Sequence, residues 1–219
     1  MPNIVAHSHI TSTVLGDWRP EAHLGSTLPD FASMYEARYG GLVAIRGISR
    51  GLDAGVDFHL RTDSVFDGQP QKPEITRPLA DDLEAAGLPN GAARLSASFA
   101  ADVLLDRALL DHSKALTAYR TLGGSILGGA TALDGPFFDS GFARYVHRYF
   151  RDDVPRYYDD PRHIAAIIQH RLGARSDNPN RTILNEQIPV LADVIGLHAD
   201  RAGELGLAAM AQTIETLAA

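Results

Sequence analysis

Residues 101–112 read ADVLLDRALLDH, a leucine-rich run that carries two acids four positions apart. On a helix, Asp102 and Asp106 stand about 40° apart around the axis and share a face with Leu105 and Leu109. Ala101, Val103, Leu104, Ala108 and Leu110 cover most of what is left, and a helix that is apolar nearly all round is a buried helix. The stretch therefore predicts a core made of helices with two carboxylates inside it. An unpaired buried charge costs on the order of several kcal/mol, so each acid needs a cation, hydrogen-bond donors or a metal. Two acids one turn apart also repel, which calls for positive charge nearby. Arg107 follows the second acid but lies about 100° from it, free to pair with another element.

Outward from this run the helical period dominates. Ala, Leu and Arg recur at three- and four-residue intervals, while alternating β-branched runs are scarce, so the chain reads as all-α. Helices are expected over about 3–15, 29–39, 41–66, 76–87, 90–121, 137–152 and 161–173, with a C-terminal pair across about 181–217. DGQPQKPEITRP (67–78) and LGGSILGGATALDGP (122–136) read as loops, because Gly, Pro and polar residues interrupt the period. GGSILGG follows a helix and lacks the Gly-Lys-Ser/Thr ending of a phosphate-binding P-loop, so a loop is the better reading. No repeat or interdomain linker is evident, and 219 residues, 45% of them apolar, suit one domain spanning 1–219.

Composition narrows the chemistry. The chain has no cysteine, which excludes a disulfide framework, a thiolate zinc site and a cysteine nucleophile. Any metal must be held by His, Asp, Glu or backbone oxygen. The formal charge of −7 argues against a nucleic-acid partner, since phosphate neutralisation needs clustered Lys and Arg. The opening MPNIVAHSHITSTVLGDW has no basic region ahead of a long apolar core, and no run reaches the ~20 apolar residues of a membrane span. The expectation is a soluble, cytoplasmic protein.

Several polar constellations stand out. In AHSHI, His7 and His9 lie about 200° apart on a helix, so at most one faces a given site. In LPDF, Pro29 and Asp30 begin a helix, where a carboxylate is favoured by unpaired amides. In GVDFHLRTDSVFD (55–67), His59, Asp63 and Asp67 are spaced four apart and line one face. A His and an Asp at that spacing either converge on one ion or form a solvated surface pair worth about a few tenths of a kcal/mol.

Taken together, these segments resemble the acyl carrier protein phosphodiesterase family, metal-dependent hydrolases related to the HD domain. NIVAHSHI looks like the family's Asn-x-x-Ala-His-x-His pattern, and LGSTLPDF resembles its Gly-x-x-x-x-Asp-Phe segment. HLRTDSVFDGQP is similar to His-x-x-Val-Asp-x-x-x-Asp-x-His-Pro, with Thr62 for the valine. ADVLLDR resembles Asp-x-x-x-Asp-His, and DDPRHIAAIIQHRLGARSDNPN is similar to the family's C-terminal segment.

The resemblance implies a compact HD-domain-like helical bundle that removes 4′-phosphopantetheine from an acyl carrier protein by hydrolysing a phosphodiester. It implies a Mn²⁺ or Mg²⁺ ion held by His7, Asp30, Asp63 and Asp106, with His59, Asp67 and Asp102 in catalytic roles. Two positions depart from the pattern, Gln69 and Arg107 each standing where the family has histidine. Gln is a poor ligand for such metals, and guanidinium has no lone pair to offer. Two alternatives therefore stand beside the carrier-protein hydrolase. One is a hydrolase of another phosphorylated small molecule. The other is a metal-free descendant in which Arg107 replaces the ion's charge and grips phosphate. For an acidic carrier protein, FARYVHRYFR places Arg144, His147, Arg148 and Arg151 within about 100° on a helix, a basic landing face or an ordinary solvated one.

Overall fold

The ADVLLDRALL run forms the second half of a central helix, α6 (Asn90–Leu110), in a computed structural model that describes residues 3–16, 19–135, 138–173 and 179–219. Nine further α-helices accompany it among the described residues: α1 (Ile4–Leu15), α2 (Pro20–Gly25), α3 (Leu28–Tyr39), α4 (Arg50–Asp67), α5 (Gln71–Ala85), α7 (Ser113–Leu127), α8 (Ser140–Arg151), α9 (Pro161–Gly173) and α10 (Ile188–Ala218). No strand occurs among those residues, so the protein is all-α. None of the helices described is long and apolar enough to cross a membrane.

Alanine explains why α6 is central. Ala92, Ala93, Ala97 and Ala100 are fully buried, and their small side chains let α5 and α10 lie close against the helix. Ile75, Leu79 and Leu83 of α5, Ile164 and Ile168 of α9, and Leu191 and Ile195 of α10 fill one apolar cluster with the first half of α6. Leu105 and Leu109 belong instead to a second cluster, with α1, α3, α7, α8, and Ala209 and Met210 near the end of α10. Thus α6 and the 31-residue α10 run through both.

Two local contacts set the positions of α4 and α1. Gly25 of α2 and Gly55 of α4 meet backbone to backbone; a methyl group on Gly55 would lie 2.3 Å from the Ala22 carbonyl oxygen. The N-terminus of α1, whose Asn3 makes no side-chain cap, is capped from α6. Both oxygens of Asp106 accept backbone hydrogen bonds, from Val5 N at 3.2 Å and Ala6 N at 2.9 Å.

Several expected boundaries move. The short helix α2 is additional. The predicted 41–66 helix begins only at Arg50, because Gly40, Gly41 and Gly47 adopt φ values of +72°, +81° and +75°, which ordinary side chains resist. Most of the expected 67–78 loop is helical: α5 starts at Gln71, where Pro73 lies in the first turn and needs no N–H donor. The expected 90–121 helix is two, broken at the exposed pair Asp111 and His112 so that α7 can turn back onto α1. The first part of the expected 122–136 loop continues α7 to Leu127. Gly123 is there for space, since a methyl group would meet the Phe150 ring at 2.8 Å. The predicted C-terminal pair is one helix, α10, after short 3-10 turns at Pro179–Arg181 and Asn185–Gln187.

Candidate metal centre

Histidine and carboxylate donors from two helices converge where α1 passes α4. His7 Nε2 lies 3.1 Å from Asp63 Oδ1, and His59 Nε2 lies 3.1 Å from Asp63 Oδ2. The imidazoles stack, with centroids 4.0 Å apart and planes 24° apart. Asp30, at the start of α3, stands beyond them, its Oδ2 3.8 Å from His7 Nε2. His7, Asp30 and His59 are buried, whereas the Asp63 side chain is 46% exposed, which leaves the cluster open to solvent on one side.

The second nitrogen of each imidazole differs in its surroundings. His59 Nδ1 lies 2.8 Å from the Ser26 carbonyl oxygen, the natural acceptor for an Nδ1–H, and that bond directs Nε2 toward Asp63. The Gly25–Gly55 contact brings this carbonyl, on the residue just after α2, against the helix carrying His59. His7 Nδ1 is buried without a hydrogen-bond partner, so the polar contacts of that ring are made at Nε2.

Charge follows geometry. Burial pushes the Asp63 carboxyl up, but the hydrogen bonds and charges of His59 and His7 outweigh it and hold the group well below the usual carboxylate range. His59 is the complement: burial pulls it down, and the bond to Asp63 with the charges of Asp30 and Asp63 raises it above its ordinary value.

Donor set and spacing fit a divalent cation. Among the described residues, one ligand atom each from His7, His59 and Asp63 lie within 4.8 Å of one another. Ligands of such an ion stand about 2.0–2.3 Å from it, so atoms this close can share one.

The other expected site residues are placed elsewhere. Asp106 is fully buried and accepts from the α1 amides just before His7, but it is not among the ligand atoms that lie within 4.8 Å of one another. Burial, only partly offset by those amides, raises its carboxyl well above the ordinary value. Asp102 contacts the ammonium of Lys72 directly, and Asp67 Oδ1 lies 3.6 Å from the same nitrogen. Arg107 turns away from the cluster: Nε lies 3.1 Å from Asp159 Oδ1 and Nη1 3.8 Å from Asp200 Oδ1. Arg144, Arg148 and Arg151 are exposed on α8, Arg151 beside Asp152. His9, facing away from His7, sits against His112; burial lowers it to about 4, helped by His112 and Lys114.

Lys72 and the Ser26 carbonyl were not foreseen. Lys72 falls in the stretch expected to be loop, and a backbone acceptor has no side-chain signature. Comparisons with protein-family models, with curated proteins and with solved structures find no match.

Proposed function

We propose that the protein is a metal-dependent phosphodiester hydrolase. Its substrate would be the link between 4′-phosphopantetheine and an acyl carrier protein, or a related phosphoester. The observation that carries this reading is the pair of Nε2 atoms, each 3.1 Å from an oxygen of one carboxylate. His7, His59 and Asp63 would hold the ion, with Asp30 adding charge behind them. Two imidazoles favour Mn²⁺ over Mg²⁺, which prefers an all-oxygen shell. When bound, such an ion lowers the pKa of a water and offsets charge on phosphoryl oxygens. The Ser26 carbonyl fixes the tautomer in which His59 offers Nε2. Asp67, one turn beyond Asp63, is largely exposed and only loosely paired with Lys72 at 3.6 Å, so it would serve as the base that passes a proton to solvent. Asp102, buried in direct contact with Lys72, would not. The exposed arginines of α8 suit an acidic carrier protein. The alternative of a metal-free phosphate binder is the less favoured reading, because Arg107 faces Asp159 and Asp200.

The test is chelation followed by reloading. Protein stripped with EDTA and resupplied with Mn²⁺ should release 4′-phosphopantetheine from a holo carrier protein, or cleave bis(p-nitrophenyl) phosphate. Asp63→Asn should weaken Mn²⁺ binding about 100-fold or more and abolish turnover. Tight Mn²⁺ binding with neither substrate cleaved would sink the hydrolase.

A further inference from the structure

Of the 20 basic residues in this chain only Lys72 and Lys114 are lysines, and Lys72 is set into the interior beside the proposed centre. It is the second residue of α5. Its ammonium touches Asp102 of α6, lies 3.6 Å from Asp67 of α4, and stands 5.0 Å from the centroid of the Phe66 ring. Its side chain is 11% exposed and that of Asp102 is 7% exposed.

The two acids it joins are not arbitrary. Asp67 is one turn beyond Asp63 on α4, and Asp102 is one turn before Asp106 on α6. Asp67 and Asp102 thus form a carboxylate pair between α4 and α6, one turn from the cluster's Asp63 on the α4 side, with a cation already between its members. An ammonium is a compact point charge, whereas the planar guanidinium used nearly everywhere else in this chain is broader and binds through a fork. At position 72 the fold uses the side chain that most nearly imitates a bare ion.

We infer that Lys72 occupies the place of a second divalent cation: its ammonium neutralises Asp67 and Asp102 and restricts the centre to a single metal ion. Without that ammonium, Asp102 is a buried carboxylate facing Asp67 with no counter-charge between them. Such a pair is relieved by taking up a proton or a cation. The inference rests on the metal-dependent reading of the neighbouring cluster, but its test separates the two.

Lys72→Met keeps an unbranched apolar side chain of similar length and removes the ammonium, with its charge and its hydrogen bonds to the acids. Mn²⁺ titrated into the EDTA-stripped protein, followed by calorimetry and by the paramagnetic resonance of free Mn²⁺, should give one ion for the parent and two for Lys72→Met. Adding Asp67→Asn to Lys72→Met should restore a stoichiometry of one. A folded Lys72→Met that binds no more ions than the parent overturns the inference. A parent that binds none, beside a variant that binds one, would overturn the metal-dependent function and leave Lys72 in its assigned role. If Lys72→Met does not fold, Lys72→Gln, neutral and able to hydrogen-bond to both acids, is titrated in the same way. Its gain of an ion supports the inference, and an unchanged stoichiometry overturns it.

Discussion

Five acids, Asp30, Asp63, Asp67, Asp102 and Asp106, surround the centre, and they are accommodated by different means. Asp30 accepts from the Asn3 amide and faces His7, Asp63 meets two imidazoles, Asp67 and Asp102 share a lysine, and Asp106 accepts from backbone amides. These assignments set a pH dependence with two limbs in the metal-free protein. Asp63 is lowered, so its contribution to stability is present above about pH 4 and lost as pH falls toward its folded value. His59 is raised, so its contribution is present below about pH 6.5 and lost as pH rises through its folded value. Thermal melts in EDTA should therefore be highest between these limbs, and His59→Gln should flatten the alkaline one. Mn²⁺ affinity should run the other way, rising as His59 loses its proton, because an ion needs the neutral imidazole. Affinity independent of pH between about 5.5 and 8 would exclude His59 as a ligand. His59 and Asp63 were legible in the sequence as a pair, because i and i+4 spacing places them on one face; His7 was one of two candidate histidines in AHSHI, and the fold brings it to them. The fates of Asp102 and Asp106 were not legible. A helical wheel shows that a carboxylate is buried but not which amide or ammonium on another helix will meet it.

Among the elements, α2 was the least visible and is the most consequential for the centre. Its six residues, PEAHLG, are too few to show a period, yet its last glycine meets Gly55 and sets the carbonyl that orients His59. Gly55→Ala should cost roughly 1–3 kcal/mol, the usual range for overpacking, and should also weaken Mn²⁺ binding by displacing Ser26. Gly124→Ala, with nothing within 4 Å of the added methyl, should instead be neutral or gain up to about 1 kcal/mol of helix propensity. Thermal melts and Mn²⁺ titration of the two variants check both claims; a Gly55→Ala protein with parental affinity would dissociate α2 from the centre. The same physics explains the misplaced boundaries. Pro73 and Gly123 look like breakers by type, but one sits in a first turn and the other under an aromatic ring. The break at Asp111 and His112 has no Gly or Pro to announce it.

At the scale of the molecule, helices α6 and α10 thread both apolar clusters, which ties the centre to packing far from it. Leu79, fully buried in the cluster remote from the histidines, provides the test. Leu79→Ala should cost about 2–5 kcal/mol. Far-UV circular dichroism and calorimetry should still report one shared, lowered transition, because α6 cannot leave one cluster and stay in the other. Two separated transitions would mean that the clusters unfold independently. The all-helical class was plain from periodicity alone, whereas this sharing was not, since a buried helix reads the same whichever neighbours bury it. The Asp106 cap carries a further consequence, for biosynthesis. The four donors around the centre are all translated before residue 64, but the carboxylate that steadies the helix bearing His7 comes some forty residues later. A nascent chain thus carries these donors before α1 has its cap, and under the proposed function an ion would be captured only by the finished fold, where Lys72 is already in place.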